Sequence, residues 1–111
     1  MGELSIGDVV FVNFPFSNLE NSKLRPAVII ASAQNNDWIL CQITSKPYAD
    51  TKSIELNDID FDQGTLKRVS YIRAGKIFTA HESIINKRVG NLKKTKQRLI
   101  VDAIIELISI A

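Results

Sequence analysis

Cysteine and histidine are nearly absent from this chain: Cys41 and His81 are its only two. A single thiol excludes an intramolecular disulfide, and its setting in Trp38-Ile39-Leu40-Cys41 reads as a small buried hydrophobe. With one of each, no His/Cys cluster of zinc-site spacing can form. The acidic residues between 50 and 62 lack a cation-loop spacing, so no metal and no cofactor is expected. A lone histidine titrates near neutrality and invites an acid–base role. His81, however, follows Phe78-Thr79-Ala80 in a segment leading away from the candidate residues below, and reads as structural or solvated. No apolar run approaches the ~20 residues that cross a bilayer, and no basic-then-apolar leader precedes Gly7. The expectation is a cytoplasmic protein without membrane contact. Low-complexity linkers and internal repeats are also missing, so residues 1–111 are expected to form a single domain.

What is present is a globular composition with an uneven charge. Hydrophobic residues make up 45% of the chain and charged residues 23%, which argues against global disorder. The formal net charge of +2 hides an asymmetry. Residues 67–98 carry ten Lys or Arg against Glu82 alone, a local balance of +9, whereas residues 48–65 stand at −4. A basic face draws in polyanions, although a solvated helix and its flanking loop would have the same composition.

Short β-rich stretches dominate the pattern. Gly7 to Phe14 reads as a first strand ended by Pro15 and the polar run Ser17 to Lys23, and Ala27 to Ile30 as a buried second strand. Gln34-Asn35-Asn36-Asp37 is a turn before an apolar strand from Trp38 to Ile43. Ser53 to Leu56 is an edge-like segment, and a strand pair is expected within Val69 to Thr79. Only the C-terminus is helical in period, with Leu99, Ala103, Leu107 and Ile100, Ile104, Ile108 at helical spacing. The expected architecture is mainly β with helix (α+β): a small, strongly bent antiparallel barrel capped by a C-terminal helix.

One residue is mounted as a working group would be. Arg25 lies between the polar run and the apolar strand, and Pro26 biases it toward extended backbone, at the rim of a rigid sheet. Two segments could meet it across such a sheet: Cys41 to Lys46, with Thr44 and Ser45, and Ser70 to Thr79, with Arg73 and Lys76. Phe16 and Tyr48, aromatics in loops, are candidates for stacking on bases.

Taken together, Gly7-Asp8-Val9-Val10, Arg25-Pro26 before an apolar strand, Ile43-Thr44-Ser45, the Ser70–Thr79 segment, Val89-Gly90-Asn91-Leu92 and the closing helix resemble the MazF/PemK/Kid family of toxin ribonucleases, in that family's order. The resemblance implies an SH3-like barrel of the CcdB/PemK kind and a homodimer whose groove cleaves single-stranded RNA at short sequences. It also implies a cognate antitoxin that blocks the groove. It assigns Arg25 to the scissile phosphate, Thr44 to the hydroxyl position ending the third strand with Ser45 beside it, Arg73 to a second arginine, and Glu20 to an acidic loop position. The chain departs from the pattern at Gly75, where an aspartate acts in the Kid and PemK branch, and in the loop from Phe16 to Leu24, which has no histidine.

Such chemistry needs little machinery. The RNA's own 2′-hydroxyl can attack the adjacent phosphate, so the protein must align the two and stabilise added negative charge. A guanidinium grips phosphate oxygens with a planar fork and stays cationic, and a threonine hydroxyl adds a neutral donor on a stiff stem. Two other readings remain open on sequence: a CcdB-like, non-catalytic poison of a topoisomerase, and an inactive SH3-like module that binds RNA or protein.

Overall fold

In a computed structural model that describes residues 3–15, 22–47 and 52–110, seven strands form one antiparallel sheet that curls into a half-barrel. They are β1 (Asp8–Pro15), β2 (Ser22–Ser32), β3 (Asp37–Thr44), β4 (Ser53–Leu56), β5 (Phe61–Gly64), β6 (Ser70–His81) and β7 (Ile85–Leu92). One helix, α1 (Lys94–Ile108), follows. The spatial order is β4-β6-β3-β2-β1-β7-β5, so the meander β1-β2-β3 sits at the centre and the two shortest strands at the edges. Short edges limit unwanted strand pairing.

The central strands are buried on both faces, which is why they read as continuous apolar runs rather than alternating ones. Register lines up Val9, Val28 and Cys41 as one cross-strand row. That row joins Ile43, Ile72, Leu92 and Ile100 of α1 in one core cluster. The intervening residues Val10, Val12, Ala27, Ile29 and Leu40 build the second cluster on the other face, with Ala80 and Ile85. Phe14 and Trp38 pack against that second cluster.

The barrel-and-helix expectation holds, but three details differ. The strand pair expected within Val69 to Thr79 is one long strand, β6, interrupted where Cys41 pairs with Ile77 and Ile43 with Ile72. Between those pairs, four residues of β6 (Arg73 to Lys76) oppose Gln42 alone, so Gly75 marks a wide bulge rather than a turn. β2 begins at Ser22, well before Pro26, because β1 pairs with it from Val9↔Val28 through Phe14↔Lys23 to Pro15↔Ser22. Finally, the polar run Asn86-Lys87-Arg88 belongs to strand β7, where these three residues are exposed while Ile85, Gly90 and Leu92 are buried.

Candidate active-site cleft

The site arises where β2 and β3 part company. They are paired only up to Ala27↔Gln42. Beyond that point β2 stays with β1, through Phe11↔Pro26 and Val12↔Arg25, while β3 stays with β6, through Ile43↔Ile72 and Thr44↔Tyr71. Pro26 has no N–H to extend the β2–β3 ladder. Counting two residues past the last pair on each strand brings Arg25 opposite Thr44.

A cleft of about 520 Å³ opens at this divergence. Its polar walls are Lys23, Arg25, Thr44, Ser45, Lys46 and Arg68, and its apolar surface comes from Phe11, Pro26, Ile43 and Leu66 among others. Arg25 and Thr44 are half-buried, Ser45 and Lys46 exposed. The Thr44 Oγ1 accepts a hydrogen bond from the Lys46 backbone N–H at 3.2 Å. A hydroxyl that accepts this bond still has its own proton to donate. Four cations around one concavity, with no carboxylate lining it among the described residues, make an electropositive pocket suited to a polyanion.

Of the residues singled out on sequence, Arg25, Thr44 and Ser45 come together here. Arg73 and Lys76 do not line the cleft: both lie in the β6 bulge, beyond its pairing with the end of β3, with Arg73 half-buried and Lys76 exposed. Phe16, Glu20 and Tyr48 lie outside the described residues. His81 is paired with Asp37 at the opposite end of β3 from Thr44, roughly 23 Å away at the usual rise per strand residue. Its Nδ1 accepts from the Ser83 backbone N–H at 3.1 Å, capping a short 3-10 turn. Sequence reasoning missed Lys23, Lys46 and Arg68. The first two flank Arg25 and Ser45 in sequence; Arg68 reaches the cleft only because β6 starts alongside the end of β3, a register that no local signal carries.

A second polar cluster holds the N-terminal motif. Asp8 is buried and accepts from Ser5 N at 2.9 Å, from Asn91 Nδ2 at 3.0 Å and from Arg88 Nη1 at 3.2 Å. These contacts tie β1 to β7, so Asp8 and Asn91 are structural members of the motifs that carry them. Cys41 is fully buried in the core, and burial pushes its thiol up to about 11.

Comparison with known proteins gives the family and the fold. The family model described as PemK-like, MazF-like toxin of type II toxin-antitoxin system matches residues 5–108. A comparison with curated protein sequences yields no match. Among solved structures, the chain is similar to MazF in a MazE–MazF crystal structure (Form-III) from Deinococcus radiodurans, with a TM-score of 0.77 at 14% identity over 97% of this chain and 98% of that one. An endoribonuclease in complex with its cognate antitoxin from a mycobacterial species gives 0.74 at 13% identity over 100% and 98%. Mycobacterium tuberculosis toxin MazF-mt6 gives 0.67 at 13% identity over 89% and 93%. At these identities the structural likenesses establish the fold.

Proposed function

The chain belongs to the PemK-like, MazF-like toxins of type II toxin–antitoxin systems, and from that premise we propose that it is a metal-independent endoribonuclease that cuts single-stranded RNA in the cleft between β2 and β3. The observation that carries the reading is the convergence of Arg25, Thr44 and Ser45 with Lys23, Lys46 and Arg68 on one concavity. In the proposed reaction the RNA's 2′-oxygen attacks the adjacent phosphorus and the bond from phosphorus to the 5′-oxygen breaks. Net proton transfer runs from the 2′-oxygen to the departing 5′-oxygen, leaving a 2′,3′-cyclic phosphate and a 5′-hydroxyl. Arg25 stabilises the charge that accumulates on the non-bridging oxygens, and the Thr44 hydroxyl donates to the same phosphate. An A-form duplex hides its base edges and cannot splay into a cleft, so unpaired RNA is the substrate.

Two partners follow, each from a different surface. The basic cleft suits an acidic segment of an antitoxin that mimics RNA; two of the similar structures are complexes with an antitoxin or MazE. A second copy of the chain would cover apolar side chains left in water: Leu99 at 55% exposure, Ile105 at 51% and Ile108 at 71% on α1, and Ile77 at 41% on β6.

The deciding experiment incubates the purified protein with a long single-stranded RNA in excess EDTA and analyses the ends. Cleavage with cyclic-phosphate and 5′-hydroxyl termini is expected. Termini bearing a 5′-phosphate, or a strict magnesium requirement, would contradict the mechanism.

A further inference from the structure

The turn between β5 and β6 is built with more care than a connection needs. Lys67 holds a φ of 62°, in the left-handed region that few non-glycine residues adopt. Its N–H donates to the Thr65 hydroxyl at 2.9 Å. The next residue, Arg68, is fixed from the other side, since the hydroxyl of buried Ser70 donates to its carbonyl at 3.3 Å. An unusual backbone conformation held by its neighbours points to a placed side chain.

Arg68 borders two cavities. One is the cleft of Arg25 and Thr44. The other is a hollow of about 470 Å³ whose remaining walls are Asn57, Asp58, Ile59, Lys67 and Val69. This second hollow has a polarity of its own. Its cations, Lys67 and Arg68, come from one turn and Arg68 faces the cleft as well, while Asp58 supplies a carboxylate from the short 3-10 helix Asp58–Asp60. One Asp58 oxygen accepts from the Thr65 hydroxyl, and Asp58 itself is exposed. Ile59 is 76% exposed and Val69 50%, two aliphatic side chains kept out of the core beside an arginine.

We propose that this hollow is a second nucleotide subsite, next along the RNA from the one cut. The inference rests on the endoribonuclease reading. Arg68 holds the phosphate that joins the two nucleotides, placing it on the ridge shared by both cavities. The neighbouring base lies against Ile59 and Val69, as apolar side chains do when they wedge against unstacked bases. Asp58 accepts from an exocyclic amino group on the base edge, so the subsite favours cytosine, adenine or guanine, which carry one, over uracil, which carries none. A nucleotide fits where a simple anion does not, because it separates its negative charge from its hydrogen-bond donors and a phosphate beside Asp58 would be repelled.

The test uses the full chain. Cut sites are mapped by sequencing the ends of a long single-stranded RNA after treatment with the parent, Arg68→Ala and Asp58→Asn. Oligonucleotides spanning the strongest site are then shortened one nucleotide at a time from each end. For the parent, removing the nucleotide that fills the hollow raises KM about tenfold with kcat nearly unchanged. In Arg68→Ala that step disappears and the dependence of log KM on log salt becomes shallower by about one. Asp58→Asn changes base preference at that single position and leaves the others alone. Variants that keep the parent's truncation step, salt slope and base preference overturn the subsite. If the parent itself cuts no RNA, the endoribonuclease reading falls and the subsite falls with it.

Discussion

At the scale of single residues, the chain separates groups that look alike on paper by where the sheet puts them. Thr44→Val keeps the branched shape and removes the hydroxyl, so it should lower cleavage roughly 10-fold while leaving the thermal midpoint in place; an unchanged rate would remove Thr44 from the chemistry. His81→Ala should cut RNA at the parent's rate, because the ring only caps the turn Glu82–Ile84. Its cost is about 0.5–1 kcal/mol of stability by denaturant titration. Cys41 gives a pH test with a defined sign. Its thiol is held up to about 11 in the fold, against 9.0 ordinarily. The folded state therefore keeps a proton that the unfolded chain gives up, and stability is intact below pH 9 and falls as pH rises from 9 toward 11, by about 2–3 kcal/mol. Unfolding curves for the parent and Cys41→Val should differ in pH dependence within that window and run parallel below it. Arg25 was legible in the sequence because Pro26 and the following apolar strand fix its place locally, whereas Thr44 and Ser45 were picked out through the family resemblance. Arg68 was not, since it arrives through pairing between segments far apart in the chain.

Among elements, the residues that carry the family resemblance divide into two kinds. Gly7 and Asp8 make the fold. Gly7 has a φ of +95°, and a β-carbon there would meet the Gln97 side chain at 2.1 Å. Asp8 joins β1 to β7 through Asn91 and Arg88. Asp8→Ala removes those acceptors from a buried position and should cost about 2–4 kcal/mol. Chemical denaturation checks this, with Arg88→Ala and the double variant completing a cycle that isolates the pair. β7 escaped sequence reading because Asn86-Lys87-Arg88 is polar throughout. As a strand beside β1 it needs only Ile85, Gly90 and Leu92 inward, and Lys87 sits over the Phe11 ring at 5.8 Å. The helix was legible from its period, yet only Ile100 is fully buried, because α1 lies on the curled sheet along one face.

For the whole molecule, folding brings part of the acidic stretch of the sequence against part of the basic one. Lys96 pairs with Asp60 at 3.3 Å and donates to the Glu55 carbonyl at 2.6 Å, which moors α1. Other basic side chains, Lys23, Arg25, Lys46 and Arg68, ring the cleft. The apolar side chains left exposed on α1 and β6 predict a dimer: light scattering at micromolar concentration should give twice the monomer mass, and Leu99→Lys should weaken it. The central claim is that this cleft, organised on Arg25, cuts RNA. It is tested most directly by the single-turnover cleavage rate of Arg25→Ala and Arg25→Lys on one mapped single-stranded substrate, with folding checked by thermal midpoint. The account predicts a loss of ~10²- to 10⁴-fold for alanine and only partial recovery for lysine, whose point charge lacks the planar two-pronged grip. An Arg25→Ala protein that folds normally and cuts as fast as the parent would contradict it.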